Sequence, residues 1–176
     1  MLEDPKNLAR VLGPRVGVKA LIHRDGALLF NHSRAQREDG TVEEWYDLPG
    51  GGQEYGESQA DALRRECVEE IGARVRVYQI ATVFEFATGA QGASPEGLTA
   101  DDPEFFHQLN VGYWCDLEPG SEPGSLHADG MDTHQVGTAW LPIDEIDRYR
   151  VSPPALAEWL QSDPSSRPVG LGFVTT

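Results

Sequence analysis

The stretch LPGGGQEYGESQADALRRECVEEIGA, Leu48 to Ala73, decides how the rest of the chain is read. It opens on three consecutive glycines, Gly50 to Gly52, and passes into a run from Ser58 to Ile71 that holds neither Gly nor Pro. Ala60, Leu63, Cys67 and Ile71 recur there at helical spacing and Gly72 follows, which predicts one amphipathic helix ended by a glycine cap. The same helix crowds Glu66, Glu69 and Glu70. At roughly 100° per residue, Glu66 and Glu70 lie one turn apart on one side with Glu69 beside them, so all three can reach one point. Their mean direction is roughly 110° from the apolar stripe, at the edge where helix meets core. Like charges at this spacing weaken a helix by about 0.2–0.5 kcal/mol. A bound divalent cation turns that repulsion into attraction, and hard oxygen ligands suit Mg2+ or Mn2+. Taken alone, E-x-x-E-E reads more simply as a solvated acidic face.

Working outward, RVGVKALIHRDGALLFNHS reads as two extended runs about the turn Arg24-Asp25-Gly26, a hairpin pattern. A polar loop is expected from Arg34 to Glu44. After the helix, RVRVYQIATVFEF predicts a long strand, and ATGAQGASPEGLTADDP is too long and polar for an ordinary turn, a lid or a disordered loop over 88–103. FFHQLNVGYWCDL and VGTAWLP predict two further strands, EPGSEPGSLHADGMD a Pro/Gly-rich loop, and IDEIDRY and PALAEWLQS two short helices. Strands dominate, with one early helix and shorter ones at the end, which indicates an α+β sandwich. One domain is expected over 1–162, with its core at 14–160. Residues 163–176, rich in Pro, Ser and Gly, are expected to be an extended or mobile tail.

A chain of 176 residues is long enough for a core of its own, and its formal charge of -15 repels nucleic-acid backbones and anionic membranes. A phosphate-bearing ligand therefore needs local cations. No apolar stretch approaches the ~20 residues of a membrane span, and MLEDPKNLAR lacks a basic-then-apolar signal pattern, so a cytoplasmic location is expected. Cys67 and Cys115 sit among apolar residues and read as two buried free thiols.

From Gly51 the chain reads G-x5-E-x7-R-E-C-x-E-E-x-G-A, with Gly51, Glu57, Arg65, Glu66, Glu69, Glu70 and Gly72 at fixed positions. This closely resembles the Nudix box. Seven such positions match by chance about once in a million chains of this length. Cys67 and Ala73 stand where bulkier aliphatics are commoner, a departure that touches packing more than chemistry. The later HQVGTAWLPIDEI is similar to the usual Nudix ending of a strand carrying Trp-Leu-Pro into a short helix, which makes Trp140 a packing residue. The resemblance implies a Nudix-type α/β/α sandwich with a mixed central sheet and the box helix on one side.

It also implies roles. Glu66, Glu69 and Glu70 resemble the family's metal ligands, joined by a backbone carbonyl at Gly50 or Gly51, and Glu66 could instead take a proton from the attacking water. Arg65 stands beside the cluster and could orient Glu66 or Glu57 by charge-assisted hydrogen bonds. Gly50, Gly51 and Gly52 let the backbone come close to a metal or phosphate. The implied activity is Mg2+-dependent hydrolysis, with Mn2+ as a substitute, of a diphosphate linkage in a nucleoside diphosphate joined to another moiety: a nucleotide sugar, ADP-ribose or a nucleoside triphosphate.

The rest of the site is open in the sequence. Asp101, Asp102, Glu104 and His107 are further candidates for the base, and a histidine titrates near neutrality. Arg34 and Arg37 could reach substrate, and Tyr46, Phe84, Phe86 and Trp114 could stack on a base or sugar, or simply pack. The proline spacing of ADP-ribose pyrophosphatases, the tyrosine of dinucleoside polyphosphate hydrolases and the SQPWPFP run of NADH pyrophosphatases are not found. Two alternatives stand beside hydrolysis: a Nudix-fold isomerase of an isoprenoid diphosphate, and a nucleotide-sensing module without turnover. The expected partner is a small molecule, with no nucleic acid or membrane, and a homodimer is possible.

Overall fold

The computed structural model describes residues 14–87, 107–124 and 134–175. Strands β1 (Arg15–Arg24) and β2 (Ala27–Gln36) form the expected hairpin, closed by Asp25 and Gly26, both at positive φ (49° and 79°). Positive φ at both central residues is the mark of a type I′ turn, whose twist matches the strands it joins. The two strands then part, sharing only the register pairs His23↔Leu28 and Arg24↔Ala27. β1 continues beside β5 (His107–Leu117) in a parallel ladder, and β5 pairs antiparallel with β4 (Val75–Ala87). β2 runs antiparallel between β3 (Val42–Asp47) and β6 (Gln135–Pro142). With β7 (Val151–Ser152) beside β3 and β8 (Gly170–Thr175) beside β4, the order is β7-β3-β2-β1-β5-β4-β8, with β6 on β2. The sheet is mixed and opens as a V from the first hairpin.

The edge of β1 that β2 abandons does not stay bare. The box loop takes its place: Ala20 N–H donates to Pro49 O (2.8 Å), Val18 N–H to Gly51 O (2.9 Å) and Gln53 N–H to Val16 O (3.0 Å). Buried amides need partners, and here the glycine loop supplies them. Gly50 sits at φ 132°, and a Cβ on it would lie 2.1 Å from Val18 O. Only glycine fits this approach.

Helix α1 (Gln59–Ile71) begins at Ser58, whose hydroxyl accepts from Asp61 N–H, and ends at Gly72 in the left-handed region. Its buried face is Ala62, Leu63, Cys67 and Ile71. Ala62 thus takes the place expected of Ala60, which is half-buried. This face packs on Val18, Ala20, Ile22 and Leu29. On the other side of the sheet Leu21, Leu28 and Phe30 pack on Ile146 of a 3-10 helix (Ile143–Arg148) and on Leu156, Trp159 and Leu160 of α2 (Pro154–Gln161). Two cores on opposite faces make the α/β/α sandwich.

Two expectations change. The polar stretch from Arg34 to Glu44 is mostly strand, since β2 runs to Gln36 and β3 starts at Val42. An Asp39 carboxylate accepting from the Thr41 N–H and hydroxyl closes the short turn between them, so charged residues that looked like loop are the exposed end of a hairpin. Beyond residue 162, Trp159 Nε1 donates to Pro168 O and the Arg167 guanidinium covers the Trp159 ring, which leads the chain into β8 along β4. The 88–103 stretch lies outside the described residues.

Candidate active site

Arg65 organises one half of the box. Its Nη2 donates to Glu57 Oε1 (2.7 Å) and to Gly52 O (3.0 Å), its Nη1 to Glu66 Oε1 (2.8 Å) and Glu69 Oε2 (3.2 Å), and its Nε to Glu57 Oε2 (3.3 Å). The planar guanidinium grips Glu57 at both oxygens and still reaches the helix. These hydrogen bonds hold the Glu57 carboxyl below its ordinary value and raise Arg65 above its own. Glu66 moves the other way despite Arg65, because burial penalises its charge and Glu70 and Glu69 add repulsion.

Glu70 stands apart, on the cleft side. Its Oε2 accepts from Gly50 N–H (2.8 Å) and Asn31 Nδ2 (2.9 Å), and Gln135 Nε2 bonds both Asn31 Oδ1 (3.1 Å) and Glu70 O (3.2 Å). Burial is the largest influence and raises its carboxyl, against the pull of Lys19 and these two donors. Lys19 completes the chain of contacts, donating to Gly50 O at 2.8 Å and Leu48 O at 3.2 Å. The expected meeting of three carboxylates at one point is therefore not the arrangement seen: Arg65 draws Glu66 and Glu69 one way, while Gly50 and Asn31 hold Glu70. Among the described residues, no group of three or more His, Cys, Asp or Glu side chains is arranged to hold a metal ion.

The donor chemistry nonetheless suits a hard cation, since Glu66, Glu69 and Glu70 on one helix and the peptide oxygens of the box loop are all oxygen ligands. Gly51 shows how tightly the loop is fitted to the helix, since a Cβ there would lie 2.5 Å from Glu66 Oε2. The bare backbone is what admits the Glu66 carboxylate.

A cavity of about 340 Å3 opens beside Glu70, in the mouth of the V. One wall carries Lys19, Phe84, Phe86, Gln108 and Asn110, the other Asn31, Ser33, Asp47, Leu48 and Gln135, with Ser152 and Pro153 at the rim. Register explains the first wall: Phe84 pairs with Asn110 and Phe86 with Gln108, and Gly17, opposite Asn110 on β1, leaves the space into which the Gln108 amide reaches.

Of the residues singled out from the sequence, Glu57, Arg65, Glu66, Glu69, Glu70 and Gly50 to Gly52 come together, and Phe84 joins them through the cavity. Arg34 and Arg37 do not line it; they pair with Glu44 and Glu43 near the far end of the β2–β3 hairpin. His107 starts β5 opposite Ala87, one residue before the cavity wall. Tyr46 stacks on His32, and Trp114 stacks on Trp159 in the core. Arg24 lies over the Trp140 ring. Asp101, Asp102 and Glu104 lie outside the described residues. Sequence reading missed Lys19, Asn31, Ser33, Asp47, Gln108, Asn110 and Gln135. A signal was present: Asn31 and Ser33, and Gln108 and Asn110, are polar residues at alternate positions within largely apolar strands, and all four are buried.

Comparison with known proteins agrees with this fold. The NUDIX domain family model matches residues 13–161. Among solved structures the chain is similar to the E. coli ORF135 protein, at 24% identity over 79% of this chain and 81% of that one, TM-score 0.52. It is also similar to a NUDIX hydrolase from Nitrosomonas europaea, at 22% identity over 84% and 86% of the two chains, TM-score 0.56. A MutT NUDIX hydrolase from Burkholderia pseudomallei matches at 21% identity over 85% and 99%, TM-score 0.57. At these identities the likeness is one of fold. A search of the curated proteins found no match.

Proposed function

The chain belongs to the Nudix family, the family of pyrophosphohydrolases, and from that premise we propose that it hydrolyses a diphosphate linkage in a nucleoside diphosphate derivative, with Mg2+ or Mn2+ as cofactor. The observation that carries this reading is the place of Glu70, which is at once a box carboxylate on α1 and a wall of the cavity. A ligand seated on Phe84 and Phe86 extends its phosphates toward the box.

Glu66, Glu69, Glu70 and the carbonyl of Gly50 or Gly51 are the groups that would hold the cation. Each of these carbonyls also accepts a hydrogen bond, Gly50 O from the Lys19 ammonium and Gly51 O from Val18 N–H. The bound ion supplies charge neutralisation at the diphosphate and a water acidified toward neutral pH. Arg65 fixes Glu57 and orients Glu66, and Glu66 could, instead of holding the cation, receive the water's proton; burial raises its carboxyl above the ordinary value. Phe84 and Phe86 offer faces to a base or sugar, while Asn31, Ser33, Gln108, Asn110 and Gln135 offer hydrogen bonds to its edges. Substrate choice among nucleotide sugars, ADP-ribose and nucleoside triphosphates rests with this wall.

The test is phosphate and nucleotide release from a panel of these compounds, with dinucleotides and isoprenoid diphosphates, in Mg2+ and in Mn2+, for wild type and Glu70→Gln. Turnover that the substitution removes supports hydrolysis at this site. Tight nucleotide binding with no turnover on any member would overturn it in favour of a sensing module.

A further inference from the structure

The chain contains two lysines, Lys6 and Lys19, against twelve arginines. Lys19 stands in the middle of β1 between Val18 and Ala20, both fully buried. Its ammonium donates to Gly50 O and Leu48 O in the loop paired with that strand. Among the described residues that line the cavity it is the one cation, and Asp47 and Glu70 line the same cavity. A diphosphate entering between two carboxylates is repelled unless positive charge is already there. Carbonyl oxygens orient the ammonium but leave its charge intact, and they use two of its three protons. One donor is left for a ligand. A compact ammonium on a flexible stem suits this reach better than a guanidinium fork.

Resting on the nucleotide reading above, we propose that Lys19 binds the phosphate nearest the nucleoside, and does so without metal. Its position favours that phosphate: Lys19 shares its wall with Phe84, Phe86 and Asn110, whereas Glu66 and Glu69 do not line the cavity. The site then has two sources of positive charge, one covalent on β1 beside the box loop and one exchangeable at the carboxylates of α1. The nucleoside monophosphate left after cleavage keeps a hold on the metal-free protein.

The experiment compares nucleosides with their 5′-monophosphates (adenosine and AMP, guanosine and GMP, cytidine and CMP, uridine and UMP) by calorimetry in EDTA. In wild type, at least one monophosphate binds about tenfold or more tightly than its nucleoside. In Lys19→Met that preference falls to about twofold or less while nucleoside affinity is kept, and Lys19→Arg restores part of it. The nucleoside is the internal control for any loosening of the loop. Should Lys19→Met fail to fold, raising salt from about 0.05 M to about 0.5 M on wild type serves instead, weakening the monophosphate but not the nucleoside. No monophosphate preference in wild type, no binding of either partner, or a preference that survives Lys19→Met overturns the proposal. The hydrolytic reading fails separately: a Lys19-dependent preference without turnover in Mg2+ sinks hydrolysis alone, and turnover without that preference sinks the role of Lys19 alone.

Discussion

The Glu70 carboxylate lies 2.8 Å from the backbone nitrogen of Gly50, and the carbonyl of the same glycine receives Lys19, so one positive-φ residue is held from both sides. Glu70 is costly to keep charged. Burial lifts its folded carboxyl above the ordinary 4.5, so the folded protein holds that proton to higher pH than the unfolded chain does. Stability of the metal-free protein is therefore lost as pH rises from the ordinary carboxylate value through the raised folded one, and kept below it.

Glu70→Gln keeps the shape and one acceptor oxygen for Gly50 and Asn31, and it removes the charge. The metal-free variant melts above wild type at pH 7, with the gap closing toward pH 4. Hydrolysis falls by about two orders of magnitude or more, as loss of a ligand to a charge-stabilising ion requires. Melting curves from pH 4 to 8 in EDTA check the first half. A variant less stable than wild type at neutral pH would show that Glu70 is a net structural asset.

Arg65 bridges Glu57 and Glu66, whose side chains are 18% and 13% exposed, and carries Gly52 O and Glu69 as well. A lysine cannot reproduce the fork. Arg65→Lys is expected to cost about 1–3 kcal/mol, less than a fully buried pair because the guanidinium is partly solvated. Activity falls about 10-fold to 100-fold through misplacement of Glu66. Urea unfolding and kcat on the best substrate read the two effects. Retention of full activity would confine Arg65 to surface charge pairing.

Adjacent glycines separate backbone strain from site geometry. Gly50→Ala forces an L-residue into φ 132° with its Cβ against a backbone oxygen that cannot move aside, and is expected to cost about 2–4 kcal/mol or more. Gly51→Ala meets first the carboxylate end of the Glu66 side chain, which is flexible. Its stability stays within about 1 kcal/mol of wild type while activity drops with the displaced carboxylate. Equal losses of stability in the two variants would contradict this division.

How much of this was legible beforehand differs between the two halves of the site. The box half is local: a helical repeat, a cap and a glycine run are neighbours in sequence, so helical spacing reveals Glu66, Glu69 and Glu70 on one side, and the resemblance to the Nudix box adds Arg65 and Glu57. The cavity half is assembled by strand register. Phe84 and Asn110 are paired across β4 and β5, and Gln135 meets Asn31 across a bulge in the β2–β6 ladder. No local pattern joins residues so far apart in the chain. The convergence of the carboxylates failed for a different reason, since helical geometry says which side chains share a face, and only the tertiary partners Arg65, Asn31 and Gly50 say where each one points.

Cys67 follows Glu66 directly on α1, and with Cys115 it belongs to the core cluster beneath that helix. Burial pushes the Cys115 thiol up to about 12 and the Cys67 thiol well above its ordinary value. At pH 8 the thiolate fraction of Cys115 is about one in ten thousand, and a thiol reagent needs the thiolate. Native protein is expected to show no fast-reacting thiol with dithionitrobenzoate, and guanidinium-unfolded protein two. Slow labelling of Cys67 then reports departure of the carboxylate helix from the sheet. Mg2+ with nucleotide, binding across helix and loop, slows that labelling in wild type and leaves it unchanged in Glu70→Gln. Fast labelling of Cys67 in the native protein would show that α1 opens without global unfolding, and that the site it carries is loose before substrate arrives.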